Sequence, residues 1–141
     1  MPFNLDLMAQ TPDIRCMPAA QARITFATRI AVVFSKLGRD PRAELANRLG
    51  SEGAARHFLA LVEEVGASWP EPVYVNSPCC PKLSYDEMMV LDLLTACGQD
   101  DRQTFDDLLR DMLPAEARDR IYTAGNAFIG SYVQRVAEGG G

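Results

Sequence analysis

Four prolines, Pro70, Pro72, Pro78 and Pro81, fall within twelve residues, and no other feature limits the fold of this chain as much. Each removes a backbone N–H donor and drives the residue before it toward extended backbone. The stretch from about 67 to 83 must therefore be a loop. What remains on either side reads as helix. Structureless connections longer than ~12–15 residues are uncommon in compact domains and are often functional.

Inside this loop, Ser77-Pro78-Cys79-Cys80-Pro81 places two adjacent thiols between prolines. Directly after it, Ser84-Tyr85-Asp86-Glu87 is a capping box, with Leu83 and Met88 at the positions of a hydrophobic staple. The following helix should end at Cys97, with Gly98 as its stop.

Before the loop, a first helix is expected over Ala19–Leu37. Phe26, Ile30, Val33, Phe34 and Leu37 line one side, and Gly38 is a C-terminal stop. Asp40 caps a short second helix that has Pro41 in its first turn and ends at Leu49-Gly50. Ser51 caps a third, with Ala54, Phe58, Leu61, Val62 and Val65 at helical spacing and Gly66 at its close. After Gly98, Asp100 opens a fifth helix, in which Phe105, Leu108, Leu109, Met112 and Leu113 match the amphipathic pattern. Pro114 begins a long sixth, apolar on more than one face through Ile121, Tyr122, Phe128, Ile129, Tyr132 and Val133.

The fold expected is all-α, an irregular bundle of five or six helices. Residues 1–18 form an extended N-terminal arm, 19–137 a single helical domain and 138–141 a disordered tail. A minor β-ribbon between residues 3–7 and 73–75 is the one β feature expected, because Phe3, Leu5 and Leu7 alternate with polar residues and Val73-Tyr74-Val75 is β-prone. At 141 residues the chain can bury a core without disulfide or metal staples.

Vicinal thiols can close a strained disulfide, hold a soft metal or metalloid, or act as nucleophile and resolving partner. Cys79 and Cys80 are thus the candidate redox or soft-metal residues. Cys80 lies just before a helix N-terminus, whose dipole favours nearby negative charge. Cys16 and the single His57 are weaker candidates to complete a metal site. Cys97 is not one: twelve helical residues carry it ~18–20 Å from the helix start, while the chain from Cys80 to Ser84 folds back at most ~14 Å. It belongs to the core stripe Val90-Leu94-Cys97.

No Gly-x-Ser-x-Gly elbow, Walker loop or Gly-x-Gly-x-x-Gly motif is present, and His57 has no Glu or Asp three residues before it. The chain gives no reason to expect an enzyme or a cofactor. The aspartates at 100, 101, 106, 107 and 111 read as the solvated side of the fifth helix.

A net charge of −5 argues against nucleic acid or an anionic membrane as partner. The longest apolar runs are too short to span a bilayer and the first residues do not form a signal peptide, so a cytosolic location with reduced thiols is expected. Residues 42–59, with Ala46-Asn47-Arg48-Leu49-Gly50, resemble the helix-turn-helix of bacterial transcription regulators, which implies DNA binding. Ser51 stands where that motif has an apolar residue, and Arg56 where it has a buried aliphatic.

The leading expectation is a small helical protein-interaction or regulatory module with an exposed vicinal-cysteine loop. Its partner would be another protein or a second copy, met through the surplus apolar residues of the sixth helix. Thiol redox or soft-metal chemistry at Cys79-Cys80 is the alternative.

Overall fold

A computed structural model describes residues 13–140, with side chains through Tyr132. Among these residues six α-helices pack together: α1 (Ala19–Lys36), α2 (Arg42–Leu49), α3 (Glu52–Ser68), α4 (Tyr85–Gly98), α5 (Arg102–Leu109) and α6 (Ala115–Gly140). A 3₁₀ turn at Ile14–Cys16 precedes them. Among the described residues there is no strand and no helix long and apolar enough to cross a membrane. The helical backbone of α6 continues through residues expected as a tail.

Local chemistry sets most boundaries. Gly50, at φ 92°, ends α2 in the left-handed conformation that glycine adopts without steric cost. The start of α2 lies one residue later than expected: Pro41 holds the cap position, and the Asp40 carboxylate accepts the Arg42 N–H at 3.0 Å. Ser51 caps α3 by accepting the Ala54 N–H at 3.0 Å.

Gly66 does not stop α3, which runs on to Ser68. The stop is Pro70, acting through Trp69, whose ψ of 138° is the extended backbone that a following proline imposes. At the other end of the loop both capping-box bonds form: Ser84 Oγ accepts the Glu87 N–H at 3.1 Å, and Glu87 Oε1 accepts the Ser84 N–H at 2.8 Å. Asp101, rather than Asp100, caps α5; Asp100 occupies the left-handed turn before it, at φ 52°.

The core lies between α3 and α6, which share the most extensive helix interface, and α4 closes it. Phe58 meets Phe128 edge-on at 5.0 Å between ring centroids, and Phe128 stacks on Tyr132 at 5.4 Å. α4 approaches α6 closely at Gly125, where a Cβ would lie 2.8 Å from Cys97 Sγ. Cys97 is buried with Val90 and Leu94, as its stripe implied.

The described apolar residues of α6 pack inside the chain. Ile121, Phe128 and Tyr132 are core residues, and Tyr122 and Ile129 pack against them. The Val133 side chain lies outside the described residues.

α1 corrects the sequence reading of its buried face. Ile24, Thr25, Ala27, Thr28, Arg29, Ala31 and Val32 are buried. Phe26, Ile30, Val33 and Phe34 are only half-buried, and Leu37 is 63% exposed. Small residues on the inward face let the helix come close to its neighbours, and they leave room for one long polar side chain. The bulky residues turn outward, where Arg39 covers Phe34 and Arg48 covers Phe26.

Candidate functional site

The long polar side chain admitted by that face is Arg29, which is 1% exposed. Its guanidinium carries five N–H donors in a fixed fork, and five bonds engage it. Nε donates to Glu87 Oε2 at 2.7 Å and Nη2 to Glu87 Oε1 at 3.1 Å. Nη1 donates to the carbonyls of Ser77 (3.1 Å) and Cys80 (2.8 Å), and Nη2 to that of Lys82 (2.9 Å).

Glu87, equally buried, is just as fully engaged. Besides Arg29 it accepts the backbone N–H of Ser84 and that of Asn76, the latter at 3.1 Å. A buried ion pair is tolerated only when its remaining donors and acceptors are met. Here the loop itself meets them. The segment carrying Cys79 and Cys80 is wrapped around a charge pair between α1 and the first turn of α4.

Further bonds fix both ends of the loop. Asp86 accepts the Trp69 Nε1–H at 3.1 Å and the Tyr74 N–H at 2.8 Å, while Ser84 Oγ donates to the Tyr74 carbonyl at 2.8 Å. Asn76 Nδ2 donates to the Lys82 carbonyl at 2.7 Å. The Ile14 N–H donates to the Pro81 carbonyl at 2.7 Å, beside an isolated bridge between Asp13 and Lys82. The Arg15 side chain and backbone N–H, helped by Lys82, hold the Asp13 carboxyl well below the usual carboxylate range.

Residues 73–75 form no strand among the described residues: Asp86 and Ser84 bond the Tyr74 backbone N–H and carbonyl, and residues 3–7, the other half of the expected ribbon, lie outside the described residues.

Within the loop, the Cys80 N–H closes a turn on the Ser77 carbonyl at 2.9 Å, with Pro78 and Cys79 at its tip. Proline's fixed φ suits the second position of such a turn. Cys79 is exposed and Cys80 half-buried. Tyr74 and Tyr85 stand out into solvent at 66% and 71% exposure. Their backbones are joined through Ser84, and the turn carrying Cys79 lies between them in sequence.

Beneath Pro72 and Val73 a groove of about 600 Å³ opens between α1 and α3. Ala31, Val32, Leu59 and Val62 form its apolar wall, and Lys36, Arg39 and Glu63 add two positive charges and one negative.

The weaker candidates do not complete a metal centre. Cys16 is exposed on the 3₁₀ turn, on the segment tied to the loop by Ile14, and His57 is half-buried on α3. Among the described residues, no three His, Cys, Asp or Glu side chains come together to hold a metal ion.

Sequence reading missed Arg29, Asn76 and the bridging use of Asp86. The available signal was Arg29 itself, the only charged residue between Arg23 and Lys36.

No protein-family model, curated protein or solved structure matches the chain. Its chemistry must be read from the site alone.

The cysteines should therefore react in order of accessibility. Burial pushes the Cys97 thiol up to about 11, which leaves roughly one part in a thousand as thiolate at pH 8, and the thiolate is the nucleophile. With iodoacetamide at that pH, Cys79 and Cys16 are expected to alkylate first, Cys80 later and Cys97 only after unfolding. Peptide mapping of a time course reads this, and early labelling of Cys97 would contradict the packing of α4 on α6.

Proposed function

We propose that the protein is a protein-interaction module that recognises its partner with the clamped loop. Tyr74, Cys79 and Tyr85 make contact, and the groove below Pro72 and Val73 receives an apolar partner side chain. The observation that carries this reading is the pairing of exposed aromatic residues with a backbone held by a fully bonded, buried ion pair. Tyrosines on a preorganised surface are strong contact residues, because little conformational freedom remains to be lost on binding. An ordinary solvated loop requires neither the aromatic display nor the internal charge.

Surface charge supports a protein partner over DNA. Around the α2–α3 junction, Arg42 is bonded to Asp40, and Arg56 shares its groove with Glu52. Within that groove two cations are thus matched by two anions, and on α2 Arg48 is offset by Glu44, where phosphate binding asks for a cationic surplus. A cytosolic setting, in which the four thiols stay reduced, fits the same reading. The burial of the α6 apolar residues within the chain favours a different protein over a second copy.

The test is a Tyr74→Ala/Tyr85→Ala double variant, used beside the native chain as bait in quantitative affinity capture. Folding stability should change by no more than ~0.5 kcal/mol, as for surface sites. The variant is expected to lose the partners that the native chain retains. Equal retention by both, with the fold intact, would remove the loop as recognition element.

A further inference from the structure

The geometry points to a peroxide-operated switch: a reversible Cys79–Cys80 disulfide that releases the loop from Arg29. It goes beyond the interaction reading and does not depend on it. The two thiols are chain neighbours in a single turn, Cys79 exposed at its tip and Cys80 half-buried where it closes.

Consecutive Cα atoms stand ~3.8 Å apart across a trans peptide, whereas ordinary disulfides span ~4.4–6.8 Å. A Cys79–Cys80 bond is therefore strained, and closing its eight-membered ring distorts the peptide unit between the two residues. That unit's N–H is the one that closes the turn on Ser77, and the next carbonyl along the chain accepts from Arg29 Nη1 at 2.8 Å. Closing the ring pulls on both bonds at once.

Coupling of this kind is reciprocal. The clamp opposes the disulfide, and the disulfide opposes the clamp. Strained, accessible disulfides are also the easily reduced ones, which makes the change reversible.

The reaction balances with hydrogen peroxide as oxidant. The Cys79 thiolate attacks one peroxide oxygen and the O–O bond breaks, giving the sulfenic acid at Cys79 and hydroxide, which takes up a proton to become water. The Cys80 thiolate then attacks the sulfenic sulfur, the S–O bond breaks, and the second oxygen leaves as water after protonation. Two thiols lose two electrons and two protons, and the peroxide is reduced to two waters. A dithiol reductant restores the pair by exchange.

The full chain is treated with hydrogen peroxide and followed by native mass, peptide mapping and amide hydrogen exchange. A loss of two hydrogens is expected, mapped to a link within the peptide holding both Cys79 and Cys80. Exchange at the Cys80 and Asn76 amides should rise at least about tenfold, and a dithiol should reverse it. Cys79→Ser and Cys80→Ser should abolish both changes.

Arg29→Lys, which keeps the charge but not the fork, should shift the disulfide-to-dithiol ratio against glutathione toward the disulfide by about tenfold. If that variant does not fold, Asn76→Ala, which loses only the side-chain bond to Lys82, gives the same readout with the same expected direction. A link to Cys16 or between chains in place of Cys79–Cys80 overturns the proposal. So does a Cys79–Cys80 link with loop exchange unchanged, or a ratio that ignores the clamp variants.

Discussion

Replacing Arg29 with methionine is expected to cost about 3–5 kcal/mol of folding stability, read as a fall in the urea midpoint. The size follows from what is left behind. Glu87 stays buried with its charge, loses two of its four donors, and faces an apolar side chain. The carbonyls of Ser77, Cys80 and Lys82 each lose the Arg29 bond as well, though Ser77 keeps the Cys80 N–H and Lys82 keeps Asn76 Nδ2. Those three lie nearer the surface and can recover water, so the stranded carboxylate sets most of the loss.

Combining Arg29→Met with Glu87→Gln should therefore be far less than additive, with a coupling of about 1–3 kcal/mol in the double-mutant cycle. Glutamine still offers an oxygen to the Ser84 and Asn76 N–H groups without leaving a charge unpaired. In both single and double variants the loop should be the first region to lose exchange protection. A loss below ~1 kcal/mol for Arg29→Met would mean that water reaches the pair and that the loop is held by other contacts.

The two halves of this site differ in how well the sequence reveals them. Ser84 and Glu87 are three residues apart, and their capping box depends on one helical turn, so the pattern alone identifies it. Arg29 and Glu87 are 58 positions apart, and no local rule joins them. The loop was legible from its prolines, and the exposure of Cys79 from the stiffness they impose. That the loop wraps a charge was not legible, because carbonyls that accept from a distant side chain leave no trace in residue type.

α1 failed for a related reason. Periodicity favours the stripe with the largest apolar residues, Phe26, Ile30, Phe34 and Leu37. The stripe that packs is Ile24, Ala27, Thr28 and Ala31, chosen by how closely the neighbouring helices approach. Gly66 and Pro70 show the same division on α3. Glycine only permits a helix to end, whereas proline forbids its continuation, and the prohibition decided the boundary.

Phe128→Ala should match the Arg29 variant in size, about 3–5 kcal/mol, but through a different mechanism. The ring is fully buried, meets Phe58 of α3 edge-on and stacks on Tyr132 one turn along α6. Truncation removes apolar area and leaves a void that two other aromatic rings cannot fill without leaving their rotamers. Leu37→Ala, at a position 63% exposed, should change stability by no more than ~0.5 kcal/mol.

The two large losses should be separable by where protection is lost. Phe128 joins α3 to α6, so its variant should lower protection across the described helices together. Arg29→Met should loosen residues 69–84 well before the α3–α6 pair opens. If Phe128→Ala loosened the loop first, the clamp and the core would be one cooperative unit, and a thiol event on the loop would be felt throughout the bundle.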